Sequence, residues 1–188
     1  MGVSIVVDRS LVLRELRLAD AKELFEVIDE NRSSLREFLP WLDFNLKVSD
    51  SENFILNSSR FNLAGTSLVL CLQHEGKIRG MLSLVGINKM SKSASVGYWI
   101  CKSARGRGLV TRSVVRLLEY SFENLHLNRI EIRAAPENSR SRVIPERLGF
   151  KEEGLLREVE WLYDHYTDLV VYSFLKREWQ KNAVRASQ

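Results

Sequence analysis

The chain has 188 residues, of which 45% are hydrophobic, and only 10 glycines and 3 prolines, so it can bury one substantial core but not two. We therefore predict a single domain over residues 1–180, followed by a polar tail over residues 181–188. The formal net charge is +4 because 28 basic residues are interleaved with 24 acidic ones. Without a long basic run, direct binding of nucleic acid is not expected.

Other features of the composition exclude further classes. Cys71 and Cys101 each lie in an apolar run, which favours buried free thiols in a reducing compartment over a disulfide scaffold. His74, His126 and His165 are far apart, so no metal site is expected. No apolar stretch approaches the roughly 18 residues of a membrane helix, and the first residues lack signal-peptide character. We predict a cytoplasmic protein that does not bind a membrane.

The first part of the chain predicts a strand, a helix and an insert. Residues 11–16 alternate apolar and polar side chains like a strand. A helix follows behind the N-cap candidate Asp20, with apolar residues at helical spacing at Ala21, Leu24, Phe25 and Ile28. Residues 33–62 predict short helices broken at Pro40, and these would form a lid-like insert.

The middle of the chain predicts an antiparallel meander that runs into a helix. Strands are expected over residues 67–74, 77–87 and 93–101, the first two joined by a tight turn at Glu75-Gly76. A glycine-rich turn over residues 105–108 then begins a helix with one apolar stripe, formed by Val114, Val115, Leu118, Phe122 and Leu125.

The last part predicts a strand, a short helix and two long strands. The strand covers residues 129–135, the helix runs from Asn138 to near Gly149, and the two strands fill residues 151–176. The predicted fold class is therefore mixed α/β, with about seven strands and flanking helices.

The turn from Arg105 to Thr111 is the first candidate site. Its glycines let the backbone approach a ligand closely, and the free N–H groups of the following helix N-terminus carry a favourable partial charge. Arg105 and Arg107 add full charges, so an anion such as a pyrophosphate is the expected occupant. A Gly-x-Gly turn can also simply connect a strand to a helix. This one matches neither a Walker loop nor a dinucleotide fingerprint.

The ordered motifs resemble the GNAT superfamily of N-acetyltransferases. Arg105 and Gly108 match its Arg/Gln-x-x-Gly-x-Gly/Ala signature, although Val110 is bulkier than the usual final residue. Downstream, an Asn-x-x-Ser helix at Asn138 ends in a Leu-Gly-Phe sequence at residues 148–150. Within the superfamily, residues 38–42, 160–161 and 166–168 resemble the RimJ/RimL branch, which acetylates the N-termini of ribosomal proteins.

The resemblance implies a fold and a cosubstrate. The sheet would be mixed, mostly antiparallel and splayed between its fourth and fifth strands, with the pantetheine arm of acetyl-CoA in the gap. Trp99 and Ile100 would border that gap, and backbone groups of their strand would pair with the pantetheine amides. The other residues implied in binding acetyl-CoA are Arg105, Gly106, Arg107, Gly108, Leu109, Val110, Thr111 and Asn138. No metal is implied.

The resemblance also implies catalytic roles. Glu160 matches the general base of the branch, although a glutamate in this acidic stretch could equally be a surface ion-pair residue. Ser141 would donate a hydrogen bond or proton to the departing thiolate, because Pro145 replaces the tyrosine that many members use. Pro145 would also remove a backbone bond to the carbonyl of residue 141 and kink the helix. Trp41 would cover the acceptor amine or serve as core.

Three functions remain open from the sequence. The first is transfer of an acetyl group from acetyl-CoA to the N-terminal amine of a ribosomal protein. The second is acetylation of a small amine, such as a polyamine or an antibiotic. The third is a non-catalytic CoA-binding module, which the bulky Val110 and the missing tyrosine would fit. A homo-oligomer is expected from the exposed strand edges and from the habit of the family.

Overall fold

A computed structural model describes residues 2–180 of the chain, which form an eight-stranded sheet flanked by helices. The strands are β1 (Ser4–Val6), β2 (Leu11–Arg14), β3 (Leu68–His74), β4 (Lys77–Asn88), β5 (Ser93–Ile100), β6 (Arg129–Ala134), β7 (Lys151–Leu162) and β8 (His165–Leu175). The helices are α1 (Ala21–Glu30), α2 (Arg32–Leu35), α3 (Val48–Ala64), α4 (Leu109–Glu123) and α5 (Ser139–Leu148). The mixed α/β prediction is confirmed, with eight strands rather than seven.

The sheet has the strand order β1-β2-β3-β4-β5-β6-β8-β7. All neighbouring strands are antiparallel except β5 and β6, which run parallel. A parallel pair needs a crossover connection, and here α4 supplies it. The start of α4 therefore lies at the carboxyl end of β5, where a turn between strand and helix can face a ligand.

Alternation along the central strands gives each face of the sheet its own core. On β3, Leu68, Leu70 and Leu72 face one side, where α4 packs through Val114, Leu118 and Phe122. On the same strand, Val69 and Cys71 face the other side, where the residues of α1 and α3 that join them are Ala21, Leu24, Ile28 and Ile55. Both faces are covered, so β3 is buried along almost its whole length.

The region between α1 and β3 differs from its prediction. Instead of short helices throughout residues 33–62, it contains α2, a 3-10 helix over Pro40–Phe44 and then the 17-residue helix α3. Pro40 begins its 3-10 helix, a position where the missing N–H of proline costs little. The sequence did not predict α3 as one helix because its amphipathicity is weak. Most of its side chains are exposed, and only Ser51, Ile55 and Ser58 are buried.

Two smaller expectations concern single side chains. Asp20 precedes α1 but makes no side-chain cap. Its carboxylate instead pairs with Arg14 at 2.7 Å and accepts a hydrogen bond from the backbone N–H of Arg17. Cys71 and Cys101 are buried free thiols, as predicted, and burial raises the pKa of Cys71 to about 11. The tail over residues 181–188 lies outside the described residues.

Candidate active site

The sheet opens between β5 and β6. Their parallel pairing covers only four positions, from Ser93 opposite Arg129 to Val96 opposite Ile132. Beyond that point β5 continues to Ile100 on its other partner, β4, while β6 continues along β8 to Ala134. Backbone groups of residues 97–100 therefore face a gap instead of a neighbouring strand, as the resemblance predicted.

A close approach of backbones fixes β5 at this gap. Gly80 on β4 pairs with Ile100, and a β-carbon at Gly80 would lie 2.1 Å from the carbonyl oxygen of Trp99. Only glycine fits there without moving the strand. The position of β5, whose other edge is open, therefore depends on Gly80 in the neighbouring strand β4.

A groove of about 660 Å³ runs along the gap. Its walls come from residues 34–39, the end of β5, the turn and first residues of α4, and one side of α5. The residues predicted for this site that line it are Trp99, Ile100, Arg105, Gly106, Gly108, Leu109, Val110, Thr111, Asn138 and Ser141. Three predicted residues, Arg107, Trp41 and Glu160, do not line it.

The glycine turn holds the backbone that begins α4. Gly106 and Gly108 have φ of 75° and 68°, in the left-handed region that glycine adopts without strain. The first backbone bond of the helix runs from the N–H of Arg112 to the carbonyl of Gly108. The N–H groups just before Arg112 have no acceptor within a helix of this kind, so they can bind an anion in the groove.

Charged residues in the groove are mostly basic. Lys102, Arg105, Arg140 and Arg147 line it, against one acidic residue, Glu37. A strongly anionic ligand such as a chain of phosphates fits this wall. Arg107, which lies between the two glycines of the turn, is exposed, and its carbonyl accepts a hydrogen bond from the side chain of Arg112.

The segment of residues 31–39 is tied to the stretch between β5 and α4 by two hydrogen bonds. Arg105 donates from Nη2 to Oγ of Ser34 at 3.1 Å. The backbone N–H of Lys102 donates to Oδ1 of the buried Asn31 at 2.7 Å. These contacts join parts of the chain that are 71 residues apart, and no sequence pattern indicated them.

Val110 departs from the small residue of the signature, and its position explains why the bulk is accommodated. Its side chain is only 6% exposed and belongs to the core cluster formed with α4 and the sheet. The backbone around it still lines the groove. A larger side chain here adds to the core and leaves the backbone donors of the turn in place.

The helix α5 forms the opposite wall, and both of its ends are capped. Asn138 is the N-cap, and its Oδ1 accepts a hydrogen bond from the backbone N–H of Ser141 at 3.1 Å. Such a cap stabilises a helix by roughly 1 kcal/mol. Gly149 ends the helix with φ of 77°. The helix continues through Pro145, and the kink predicted there stays a prediction.

Among the lining residues that the sequence did not predict are Lys102, Tyr98, Arg140 and Arg147. Arg140 and Arg147 lie seven residues apart on α5, and helical spacing places them on one face, so their pattern was available. Lys102 follows β5 directly and could also have been identified. Tyr98 could not, because its partner is Ser141, 43 residues away: the phenol donates to the Ser141 carbonyl at 2.9 Å.

Glu160 lies on β7, the edge strand of the sheet, opposite Thr167 on β8. It follows an irregular stretch in which the pairing of the two strands is interrupted between Leu156 and Glu160. Its side chain is half-buried, and this burial raises the pKa of its carboxyl group. A carboxylate with a raised pKa is a better proton acceptor near neutral pH than an ordinary surface glutamate.

Trp41 does not line the groove. Its ring packs against that of Trp99 with centroids 6.3 Å apart and planes tilted by 49°. The 3-10 helix that carries Trp41 is held by the turn between β7 and β8. There the hydroxyl of Tyr163 donates to the carbonyl of Leu39 at 2.5 Å, and the guanidinium of Arg36 stacks 3.7 Å from the centre of the Tyr163 ring.

Two further kinds of functional feature, a metal site and a membrane span, were sought in the part of the chain that the structure describes. Over residues 2–180, no group of three or more His, Cys, Asp or Glu side chains is placed to hold a metal ion. Within the same range, no helix is both long enough and apolar enough to cross a membrane.

Comparisons with known proteins agree with this geometry. The family described as acetyltransferase (GNAT) domain matches residues 10–151. The Bacillus subtilis protein YdaF, whose name provisionally assigns it to ribosomal N-acetylation, is 36% identical over 93% of this chain and 96% of its own. The ribosomal-protein-serine acetyltransferase of Escherichia coli is 27% identical over 92% of this chain and 97% of its own. By contrast, a spermidine N(1)-acetyltransferase of Vibrio cholerae is 33% identical over only 48% of this chain and 52% of its own.

A solved structure supports the fold. RimL, a ribosomal L7/L12 α-N-protein acetyltransferase in complex with coenzyme A, superposes with a TM-score of 0.89 over 92% of this chain and 98% of its own, at 22% identity. The open strand edge, the glycine turn and the basic groove have the chemistry that a CoA thioester requires. This chain belongs to the GNAT family and is an acetyl-CoA-dependent N-acetyltransferase.

Proposed function

We propose that this chain acetylates the N-terminal α-amine of a protein, with ribosomal proteins as the physiological acceptors. The observation that carries the proposal is the extent of the resemblance. Relatives named for ribosomal-protein acetylation align along more than nine-tenths of both chains. The spermidine enzyme of Vibrio cholerae aligns along only about half.

We assign the groove to acetyl-CoA and refer to it below as the donor groove. The open edge of residues 97–100, which includes Trp99 and Ile100, would bond the pantetheine amides as an added strand does. The N–H groups from Gly106 to Thr111 would hold the pyrophosphate at the start of α4. Lys102, Arg105, Arg140 and Arg147 would neutralise the phosphates, with Arg107 adding longer-range attraction. Asn138 would border the pantetheine arm while it caps α5.

The chemistry that these residues support is direct transfer. The neutral amine attacks the carbonyl carbon of the thioester, the carbon–sulfur bond breaks, and the nitrogen loses a proton. A free α-amine has a pKa of about 8, so a base of moderate strength is sufficient. Glu160 would take the proton, directly or through a water, because its raised pKa suits it to that task. Ser141, on the wall of the donor groove, would donate a hydrogen bond to the departing sulfur.

We call the 3-10 helix segment of residues 36–44 and the β7–β8 tip of residues 160–166 together the acceptor side. Glu160 lies at one end of the tip, and Tyr163 joins the tip to Leu39. Trp41 would support the acceptor side by packing on Trp99, whose other neighbours line the donor groove. An amine bound here would lie between the base and the thioester.

Acetylation of a small amine is the second candidate function. It is favoured by the match of the spermidine enzyme and by Glu37, an acidic side chain in the groove wall that could attract a cationic amine. The non-catalytic alternative would require CoA binding without turnover.

A panel of acceptors tests the proposal. Purified protein is given acetyl-CoA with peptides that begin with Ser or Ala, with the same peptides blocked at the N-terminus, and with spermidine, while CoA release and product mass are measured. We expect transfer to free peptide N-termini alone. Transfer to spermidine and not to peptides would refute the ribosomal assignment. CoA binding without turnover of any amine would refute the catalytic roles of Glu160 and Ser141.

Three further expectations belong to the same proposal. We propose a single domain over residues 1–180 and a cytoplasmic location. We also propose a homo-oligomer, supported by β7: this edge strand is exposed along nearly its whole length and carries the exposed apolar residues Leu155, Leu156, Val159 and Trp161. Light scattering of the purified chain tests the oligomer, and a monomer over the working concentration range would rule it out.

A further inference from the structure

Pro145 leaves a carbonyl on α5 without its helical donor. In a regular helix the N–H of residue 145 would donate to the carbonyl of Ser141, but proline has no N–H. That carbonyl instead accepts a hydrogen bond from the hydroxyl of Tyr98 at 2.9 Å. The donor comes from β5, on the other side of the donor groove, so this bond joins the two walls at the point where the sheet is open.

A second bond joins the same two residues. The hydroxyl of Ser141 donates to the phenol oxygen of Tyr98 at 3.2 Å. Tyr98 therefore holds both the backbone and the side chain of Ser141. Both residues line the donor groove, and their bonds link the segment of β5 that has no strand partner on its β6 side to the first turn of α5.

The phenol of Tyr98 stays protonated and can therefore always donate its hydrogen bond to Ser141. Burial raises the pKa of Tyr98 above its ordinary value of about 10, so the phenol keeps its proton throughout the neutral range. Its single proton is used on the Ser141 carbonyl. The hydroxyl of Ser141 can rotate toward another acceptor without disturbing that bond.

We propose that Tyr98 is a positioning residue for acetyl transfer, which holds Ser141 at the groove wall through the carbonyl that Pro145 leaves free. The inference rests on the proposed role of Ser141. When negative charge develops on the departing sulfur, the Ser141 hydroxyl turns its proton from Tyr98 to the sulfur. Tyr98 donates no proton in the reaction and stays bonded to the Ser141 carbonyl. It replaces, from the neighbouring strand, an anchoring bond that the helix backbone cannot make.

The first test is a double-mutant cycle with Ser141. Tyr98→Phe keeps the ring in the groove wall and removes both hydrogen bonds. We expect kcat to fall about tenfold, a change of about 1.4 kcal/mol in the barrier, while the Kd for acetyl-CoA changes less than twofold. In the Ser141→Ala background, the same substitution should cost less than twofold. An equal loss in both backgrounds would mean that Tyr98 acts independently of Ser141 and would overturn the proposal.

The second test uses Pro145. Pro145→Ala restores a backbone N–H that can bond the Ser141 carbonyl, so by itself it should change kcat less than twofold. In the double variant with Tyr98→Phe, kcat should be at least threefold higher than in Tyr98→Phe alone. No recovery, together with weaker acetyl-CoA binding and a lower melting temperature in Tyr98→Phe, would show a merely structural role and overturn the proposal.

The role of Tyr98 can be tested whichever acceptor the protein uses. Both series are run with whichever amine the wild type acetylates, because Tyr98 and Ser141 contact the donor groove. A wild type that prefers spermidine would refute the ribosomal acceptor and leave the Tyr98 cycle fully interpretable. An unchanged rate in Ser141→Ala would remove Ser141 from the mechanism, and the positioning role of Tyr98 would fall with it.

Discussion

The donor groove and the acceptor side of this enzyme are built from different kinds of contact. Most of the donor groove comes from short, continuous stretches: the end of β5, the glycine turn with the start of α4, and one side of α5. The acceptor side joins two distant segments through a few side chains, chiefly the bond from Tyr163 to Leu39, which are 124 residues apart. Most stretches of the donor groove are thus recognisable locally in the sequence, whereas the acceptor side depends on a long-range contact.

The difference also concerns which groups would bind the ligand. In the donor groove, backbone N–H groups and an open strand edge are available, and several side chains can be replaced without altering them, as Val110 illustrates. On the acceptor side, a half-buried carboxylate and aromatic side chains are available, and each depends on its own identity. Substitutions should therefore change donor binding gradually and acceptor chemistry abruptly.

The largest expected effect is that of Glu160→Gln on the acceptor side. Loss of a general base lowers a rate by roughly 10²-fold to 10⁴-fold, so kcat should fall at least a hundredfold while the Kd for acetyl-CoA stays nearly constant. The wild-type rate should decline as pH falls through the Glu160 pKa, which burial raises above the ordinary value. Steady-state kinetics over a pH series measures both, and an unchanged kcat would remove Glu160 from the site.

Stability gives an independent check on Glu160. A raised pKa means that the folded state binds the proton more tightly than the unfolded state, so stability is lost as pH rises through that pKa. Glu160→Gln removes this cost, and its melting temperature at neutral pH should be no lower than that of the wild type. A clearly lower melting temperature would indicate that Glu160 makes a stabilising ion pair, the alternative noted from its sequence.

The next effect is expected from Gly80→Ala, behind the donor groove. The added β-carbon would approach the Trp99 carbonyl oxygen to 2.1 Å, so β5 must shift. Overpacking of this kind costs about 1–3 kcal/mol, measurable by urea unfolding, and acetyl-CoA affinity should fall with it. For the unfolding measurement, Gly97→Ala is a matched control, because a β-carbon there meets no atom within 4 Å. Equal losses in both variants would show that the close approach does not position β5.

Arg105→Gln should weaken acetyl-CoA binding about tenfold, equivalent to about 1.4 kcal/mol. Arg107→Gln is the matched control, since Arg107 belongs to the same turn but does not line the groove. Its effect should be less than threefold and should disappear in high salt, because only long-range attraction is lost. Calorimetric titration with acetyl-CoA compares them. A larger loss in Arg107→Gln would reverse the assignment of the two arginines.

The smallest effect is expected from Tyr163→Phe, which removes the hydrogen bond to Leu39 and keeps the ring under Arg36. A bond of this kind contributes about 0.5–1.5 kcal/mol, so KM for the acceptor should rise about threefold, and KM for acetyl-CoA should rise less even though Leu39 also lines the donor groove. Tyr166→Phe serves as a control on the same hairpin, since Tyr166 is 60% exposed. If KM for acetyl-CoA rises as much or more, the tip supports the donor groove and the two regions are not separable.

The same division explains what could be predicted from the sequence. The antiparallel meander, the turn, α4 and α5 follow from local alternation, helical spacing and glycine positions, and these predictions are confirmed. The strand β1 was missed because it has three residues and pairs only with β2. The stretch that forms α3 was predicted as short helices and not as one helix of 17 residues, because few of its residues are buried.

The site divides in a similar way. The turn from Arg105 to Thr111 could be found because its residues are consecutive, whereas the bond from Tyr98 to Ser141 depends on the folded sheet. The roles assigned to Glu160, Ser141 and Trp41 stay predictions. A side chain's identity can be matched to a family, but its distance to a bound amine depends on how the acceptor side folds around it.

The Asn-x-x-Ser and Leu-Gly-Phe sequences by which α5 is recognised encode the ends of the helix and its packing. Asn138 begins the helix, Gly149 ends it, and the ring of Phe150 packs 5.1 Å from that of Phe174 in the core. Each of these residues has a complete explanation in folding. A protein that had lost its chemistry would still need them to keep this helix. The motif therefore identifies the architecture of a relative, while its activity must be judged from side chains with a proposed chemical role, such as Glu160.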